Sequence, residues 1–163
     1  MSRLPHQAYI GLGANLGAKE STLRGALARL SARTDVAVER VSSMIETEPV
    51  GGPPGQQLYL NAAAALRTSL TPRGLLAVLL TVEHELGRRR DPAERNAPRS
   101  IDLDLLLYEE RIVDEPDLQV PHPRMHERFF VLKPLAEIAP QAVHPGLGKT
   151  ISQLLAECVA RES

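Results

Sequence analysis

Two aspartates lie two residues apart in an apolar segment of the chain. Asp102 and Asp104 alternate with leucine and isoleucine between residues 100 and 108, a pattern that predicts a β-strand. Side chains two apart in a strand share a face, so the carboxylates point the same way with their Cα atoms about 6.8 Å apart. The opposite face, towards the core, is predicted to carry Ile101, Leu103, Leu105 and Leu107. Because neighbouring carboxylates repel each other, the pair predicts a Mg²⁺ site, which also needs substrate phosphates.

An arginine-rich segment directly precedes the two aspartates. It contains Arg88, Arg89, Arg90, Arg95 and Arg99. Guanidinium groups bind phosphate oxygens through a planar fork of donors, so this neighbourhood suits a metal-bound polyphosphate. Two other interpretations stay open at this point. In one, the aspartates form the solvated face of an edge strand; in the other, the arginine segment is a nucleic-acid patch or a solvated charge run. The segment lacks the aromatic residues of single-strand binders, and the net charge of the chain is only -1.

Hydrophobic periodicity predicts the elements that hold these residues. We predict strands at 8–13, 36–45, 58–70 and 100–108, with helices at about 23–30 and 72–86. Thr71 followed by Pro72 is a typical helix start. The order βαββαβ predicts an α/β (α+β) fold of the ferredoxin-like type, with helices packed on the sheet. An extended piece at 111–113 and helices at about 130–138 and from Thr150 form a C-terminal helical extension.

Composition sets the class of protein. A chain of 163 residues with 43% hydrophobic residues can form one domain, 1–163, and its single cysteine, Cys158, reads as a core residue of the last helix. Net charge argues against nucleic-acid and membrane partners, and no run approaches the roughly 18 apolar residues that span a bilayer. With no signal peptide at the N-terminus, we expect a cytoplasmic monomer.

Tyr59 and Asn61 share a face of the predicted third strand. A flat heteroaromatic substrate needs such a pair, a π surface and an amide whose donor and acceptor read the ring edge. A core role for Tyr59 and a strand-edge role for Asn61 remain the alternative. The long loop 47–57 before this strand is a candidate binding loop. His122 and His126 are four residues apart, but Pro123 and the lack of a third ligand argue against zinc.

A family resemblance extends these interpretations. Segment 95–106, with its basic residues, Pro98-Arg99 and Asp-x-Asp, resembles the signature of the 6-hydroxymethyl-7,8-dihydropterin pyrophosphokinases of folate biosynthesis. Similarity continues at 9–16, 47–49, 59–62, 120–128, Phe130 and 134–135. The resemblance implies a ferredoxin-like fold and transfer of the terminal diphosphate of ATP to the pterin hydroxymethyl group, with release of AMP.

The resemblance also implies roles for individual residues. Asp102 and Asp104 would hold two Mg²⁺ ions. The catalytic arginines would be Arg90, Arg95 and Arg99, and the ATP contacts would be these three with Glu83, Leu105, His122 and Arg128. The pterin would meet Thr47, Val50, Tyr59, Asn61 and Phe130, with Tyr59 and Phe130 stacking on its two faces and Asn61 bonding its polar edge.

Two alternatives to this function stay open from the sequence. One is another Mg²⁺-dependent phosphoryl or nucleotidyl transferase that uses the same aspartate pair. The identity of the nucleotide product distinguishes such an enzyme from a diphosphate transferase. The other is a ferredoxin-like RNA-binding or regulatory module. Such a module would need exposed aromatic residues on its sheet, near Phe129 and Phe130.

Overall fold

The computed structural model describes residues 4–15, 19–47, 59–87 and 101–162. The elements in chain order are β1 (His6–Ala14), α1 (Lys19–Ser31), β2 (Val36–Val41), β3 (Ile45–Thr47), β4 (Tyr59–Thr68), α2 (Pro72–Glu85), β5 (Ile101–Tyr108), β6 (Val113–Glu115), β7 (Leu118–Val120), a 3₁₀ turn (Met125–Glu127), α3 (Phe129–Ile138), β8 (Val143–His144), β9 (Lys149–Thr150) and α4 (Ile151–Glu162).

The main sheet is antiparallel and has the strand order β2-β4-β1-β5, with β3 pairing to β4 beyond the end of β2. This order confirms the ferredoxin-like prediction. Strand β1 lies between β4 and β5, so a residue of β1 has one direct neighbour on each side. The sheet therefore brings residues about 40 positions apart in the chain, on β4 and β5, to the two flanks of one central strand.

Helices cover both faces of the sheet. Helices α1 and α2 pack on one face and form a first core cluster with side chains such as Leu12, Leu23, Leu66, Leu79 and Leu103. Helices α3 and α4 pack on the other face and form a second cluster, which includes Ala63, Leu106, Leu132, Leu154 and Cys158. Cys158 is 2% exposed, which confirms its core position. No helix among the described residues is long and apolar enough to cross a membrane.

The predicted single strand at 36–45 is two strands. Strand β2 ends at Val41, where Ser42 turns into the sheet: its N–H donates to the Ala63 carbonyl at 2.9 Å, and its Oγ accepts from the Ala63 N–H at 2.8 Å. The hydroxyl thus replaces a ladder hydrogen bond and lets the chain bend before β3 begins at Ile45. A further register shift lies between Val38 and Arg40.

Strand β5 contains a bulge that corrects one sequence prediction. Ile10 pairs with Leu105 and Tyr9 pairs with Leu107, so Leu106 is an extra residue. Alternation breaks at this point, and Leu107 joins the second core cluster instead of lying with Leu103 and Leu105 in the first. The two aspartates precede the bulge, so their shared face is preserved.

The other elements match the sequence in part. Thr71 caps α2 as predicted, because its Oγ1 accepts from the Gly74 N–H at 3.0 Å. The extended piece predicted at 111–113 overlaps at Val113 with β6, which forms a two-stranded hairpin with β7. A second short hairpin, β8–β9, precedes α4 and had no distinct pattern in the sequence.

Candidate active site

The strand register aligns three predicted site residues across the sheet. Gly13 of β1 pairs with Asn61 of β4 on one side and with Asp102 of β5 on the other. Gly11 pairs in the same way with Asp104. Directly paired residues share a face, so the amide and both carboxylates lie on the face that α3 and α4 partly cover. Two strand spacings separate Asn61 from Asp102, about 10 Å between Cα atoms.

Gly13 leaves an open surface between these two groups. A Cβ atom built at Gly13 would meet Asn61 Oδ1 at 3.3 Å, and no other described residue outside its immediate chain neighbours would lie within 4 Å. The backbone of Gly13 is in the ordinary extended region, so the conformation alone does not require glycine. A glycine inside a strand is often found where a ligand approaches the backbone closely. No local sequence pattern singles out this residue, and the pairing register is what reveals its place.

The two aspartates are half-buried on a strand whose other face is held firmly. Leu103, between them, is 4% exposed and belongs to the first core cluster. Strand β5 is at the sheet edge, and the outward N–H of Leu103 donates to Glu83 Oε2 at 2.6 Å. Glu83 is itself only 3% exposed. Its carboxylate therefore anchors the strand at the residue between the two aspartates.

This placement bears on two predicted ATP contacts. The described side-chain bond of Glu83 runs to the β5 backbone, and its contact with a nucleotide stays a prediction. The Leu105 side chain is 5% exposed and lies in the first core cluster, on the face opposite Asp104. A nucleotide on the aspartate face could thus meet Leu105 only through its backbone.

The aspartate pair fits a hard cation. Both groups supply carboxylate oxygens from one face, on a strand fixed by its core side chains. Among the described residues, no group of three or more His, Cys, Asp and Glu side chains converges as a metal cage. Such a two-carboxylate donor set suits Mg²⁺, which usually completes its coordination with water and substrate phosphates, better than it suits zinc.

Asn61 is held by a neighbour on the edge strand. Its Nδ2 donates to Thr47 Oγ1 at 2.6 Å, and Thr47 pairs directly with Tyr59. Asn61 is 7% exposed, whereas Tyr59 and Thr47 are half-buried. With the amide nitrogen bound to Thr47, Oδ1 lies beside Gly13 and presents an acceptor to that open surface. The structure therefore brings Thr47, Tyr59 and Asn61 together.

His122 is tied to β5, and Arg128 lies against Phe130 at the start of α3. The His122 N–H donates to the Leu106 carbonyl at 3.0 Å, which ties the segment after β7 to the strand of the aspartates. Burial, and then the charges of Arg128 and Arg124, lower the pKa of His122, so its imidazole is neutral at pH 7. The Arg128 guanidinium lies over the Phe130 ring, with 5.8 Å from Cζ to the centroid.

Four predicted site residues lie outside the described residues: Arg90, Arg95, Arg99 and Val50. The same holds for most of the predicted binding loop at 47–57. The aromatic residues that an RNA-binding sheet would need are on a helix instead, since Phe129 and Phe130 are the first two residues of α3. Phe129 packs against the second core cluster.

Comparison with known proteins gives one consistent family. A family model described as 7,8-dihydro-6-hydroxymethylpterin-pyrophosphokinase (HPPK) matches residues 9–140. A 2-amino-4-hydroxy-6-hydroxymethyldihydropteridine pyrophosphokinase from Synechocystis is 45% identical over 157 residues, which cover 95% of this chain and 78% of that protein. The protein of the same name from Bacillus subtilis is 48% identical over 134 residues, covering 82% of this chain and 78% of the relative.

Solved structures support the fold. The HPPK-DHPS protein of Plasmodium falciparum superposes with a TM-score of 0.74 at 14% sequence identity. The similarity covers 96% of this chain and 45% of the Plasmodium chain. At that level of identity the likeness concerns the backbone arrangement alone.

Proposed function

Because the chain belongs to the 7,8-dihydro-6-hydroxymethylpterin-pyrophosphokinase family, we propose that it transfers the terminal diphosphate of ATP to the hydroxymethyl group of 6-hydroxymethyl-7,8-dihydropterin and releases AMP. The reaction belongs to folate biosynthesis. One observation carries the proposal: Asn61, Gly13 and Asp102 are aligned on one face of three adjacent strands. The amide proposed to bond the ring edge and the carboxylate proposed to bind a metal thus lie on either side of Gly13, which forms the floor of the site.

The pterin occupies the β4 side of this floor. Tyr59 supplies a ring surface on the sheet, and Phe130 at the start of α3 supplies the opposing one. Asn61 Oδ1 accepts from the N–H groups of the pterin edge, and Thr47 fixes the amide in that orientation. Pterin binding by Val50 belongs to the same proposal.

The ATP phosphates occupy the β5 side. Asp102 and Asp104 would hold two Mg²⁺ ions. This assignment is supported by the position of both half-buried carboxylates on one face of β5. Bound magnesium supplies charge neutralisation to the polyphosphate. Arg128 adds a cation and neutral His122 adds an N–H donor on the same side, with Arg90, Arg95 and Arg99 as further phosphate ligands.

The chain contributes mainly by alignment. The hydroxymethyl oxygen approaches the β-phosphorus across Gly13, a new O–P bond forms there, and the bond from that phosphorus to the oxygen of the α-phosphate breaks. AMP leaves with the bridging oxygen, and the hydroxyl proton passes to solvent. Transfers of this type depend on in-line positioning and charge stabilisation more than on covalent chemistry by the protein. A floor without a side chain lets the two substrates meet.

Product analysis tests this proposal. The protein is incubated with Mg²⁺, ATP and 6-hydroxymethyl-7,8-dihydropterin, and the products are followed by ³¹P NMR and chromatography. We expect AMP and the pterin diphosphate in equal amounts. ADP with a pterin monophosphate would make the protein a phosphoryl transferase, and free pyrophosphate with an adenylylated pterin a nucleotidyl transferase. Either result overturns the proposed reaction. The proposal further takes the chain as a cytoplasmic monomer that acts on these two substrates alone.

A further inference from the structure

The segment between β2 and β3 lies between two helices. This linker, residues 42–44, contacts the end of α3 on one side. On the other side, towards α1, a cavity of about 600 Å³ is lined by linker residues and by Leu27 of α1. At its start the linker is held to β4 by the two hydrogen bonds between Ser42 and Ala63, and Met44 packs against the first core cluster. Ser43, between them, is held from the α3 side.

Glu137, the second-last residue of α3, holds the linker through both carboxylate oxygens. Oε1 accepts from the Ser43 N–H at 3.0 Å, and Oε2 accepts from Ser43 Oγ at 2.6 Å. The adjacent Arg40 donates to the Ile138 carbonyl at 3.2 Å. The Ser43 hydroxyl and then the Ser43 N–H lower the pKa of Glu137, so the carboxylate is ionised at neutral pH.

The linker leads directly to the pterin wall. Strand β3 has three residues, and β4 is its only strand partner in the described part of the chain. Its last residue, Thr47, accepts the hydrogen bond from Asn61 that orients the amide. A chain of contacts thus runs from Glu137 through Ser43 and the short strand to Asn61.

We propose that Ser43 and Glu137 form a clamp that positions Thr47, and through it the Asn61 amide, for the pterin. The clamp also joins the linker to α3, the helix that carries Phe130 at its other end. Neither residue touches the reacting atoms, so both are positioning residues. This inference rests on the proposed function, which supplies the pterin as ligand.

Steady-state kinetics test the clamp. Glu137→Gln and Ser43→Ala each weaken the paired contact, and we expect each to raise KM for the pterin about threefold to tenfold. KM for ATP should stay within about twofold of wild type, because the proposed nucleotide-binding residues lie on elements other than the linker and β3. Ser43→Thr keeps the N–H and the hydroxyl and should retain wild-type values. Glu157→Gln is the matched control, since Glu157 lies on α4, away from the linker, and its half-buried carboxylate is 2.8 Å from Lys149 Nζ of β9.

Repeating Glu137→Gln in an Asn61→Ala background separates positioning from general stability. If the clamp acts through the amide, Glu137→Gln should raise KM for the pterin by less than about twofold once the amide is absent. An equal increase in both backgrounds, or equal increases in KM for pterin and ATP, would overturn the clamp. Absence of pterin-dependent AMP formation by the wild-type protein would instead defeat the proposed function itself. Thermal unfolding of each variant verifies that the protein is folded.

Discussion

Replacing Gly13 by alanine should separate stability from activity. The added Cβ would lie 3.3 Å from Asn61 Oδ1, so the amide must move by a few tenths of an ångström. Against this cost, alanine in a strand is favoured over glycine by about 0.5–1 kcal/mol. We therefore expect the free energy of unfolding of Gly13→Ala to stay within about 1 kcal/mol of wild type.

Turnover should respond much more strongly. The methyl group stands between Asn61 and Asp102, where the proposed acceptor oxygen and β-phosphorus meet. Misplacing reacting groups by about 1 Å costs on the order of 100-fold in rate, so we expect kcat to fall about 10- to 100-fold, or about 1.4–2.8 kcal/mol.

Denaturant unfolding and initial rates measure the two quantities on the same sample. Gly25→Ala is the matched control: Gly25 lies in α1 behind the sheet, and its added Cβ would meet Leu86 Cδ2 at 3.4 Å. That variant should keep wild-type kcat. If Gly13→Ala turned over within about twofold of wild type while remaining folded, the open surface at this position would have no part in the reaction.

Two further predictions concern the same site, and a third concerns His144 of β8. Asp102→Asn and Asp104→Asn should each lower kcat by more than about tenfold, equivalent to about 1.4 kcal/mol, with unchanged circular dichroism; a smaller loss would contradict the metal assignment. Asn61→Ala should weaken pterin binding by about 1–3 kcal/mol, and Thr47→Val should weaken it less. Both are measured by calorimetry in the presence of a saturating non-hydrolysable Mg²⁺–ATP analogue. An equal loss of nucleotide affinity in Asn61→Ala would make Asn61 a structural residue. Burial lowers the pKa of His144 below 6.5, so the unfolded chain binds more protons below that pH. The free energy of unfolding should fall as pH drops from about 7.5 to 5.5, less steeply in His144→Asn, and an unchanged slope in that variant would refute the linkage.

Much of this site was predictable because its chemistry follows strand periodicity. Asp102 and Asp104 alternate with core leucines, and that alternation alone places the carboxylates on one face. The element order β1-α1-β2-β4-α2-β5 then dictates the antiparallel sheet in which β1 is central. The motif similarity supplied the proposed roles of Tyr59 and Asn61, which alternation by itself left open between core and site.

Other features depend on contacts that no local pattern encodes. The break at Ser42 arises because its hydroxyl meets the Ala63 N–H, 21 residues away. The bulge at Leu106 depends on how β5 matches β1, and it moves Leu107 to the other face. The hydrogen bond of Glu83 to the β5 backbone is encoded by no pattern in the helix, because it depends on where the β5 edge lies. The importance of Gly13 likewise appears only when both of its strand partners are known.

Magnesium-dependent nucleotide binding tests the central claim most directly, that Asp102 and Asp104 form the metal–nucleotide side of the site. Calorimetry measures the affinity of a non-hydrolysable ATP analogue with and without Mg²⁺, for the wild-type protein and for the double variant Asp102→Asn, Asp104→Asn. We predict that Mg²⁺ strengthens binding to the wild-type protein at least tenfold, about 1.4 kcal/mol, and has no such effect on the folded double variant. Full magnesium dependence in the double variant would place the metal elsewhere and contradict this account.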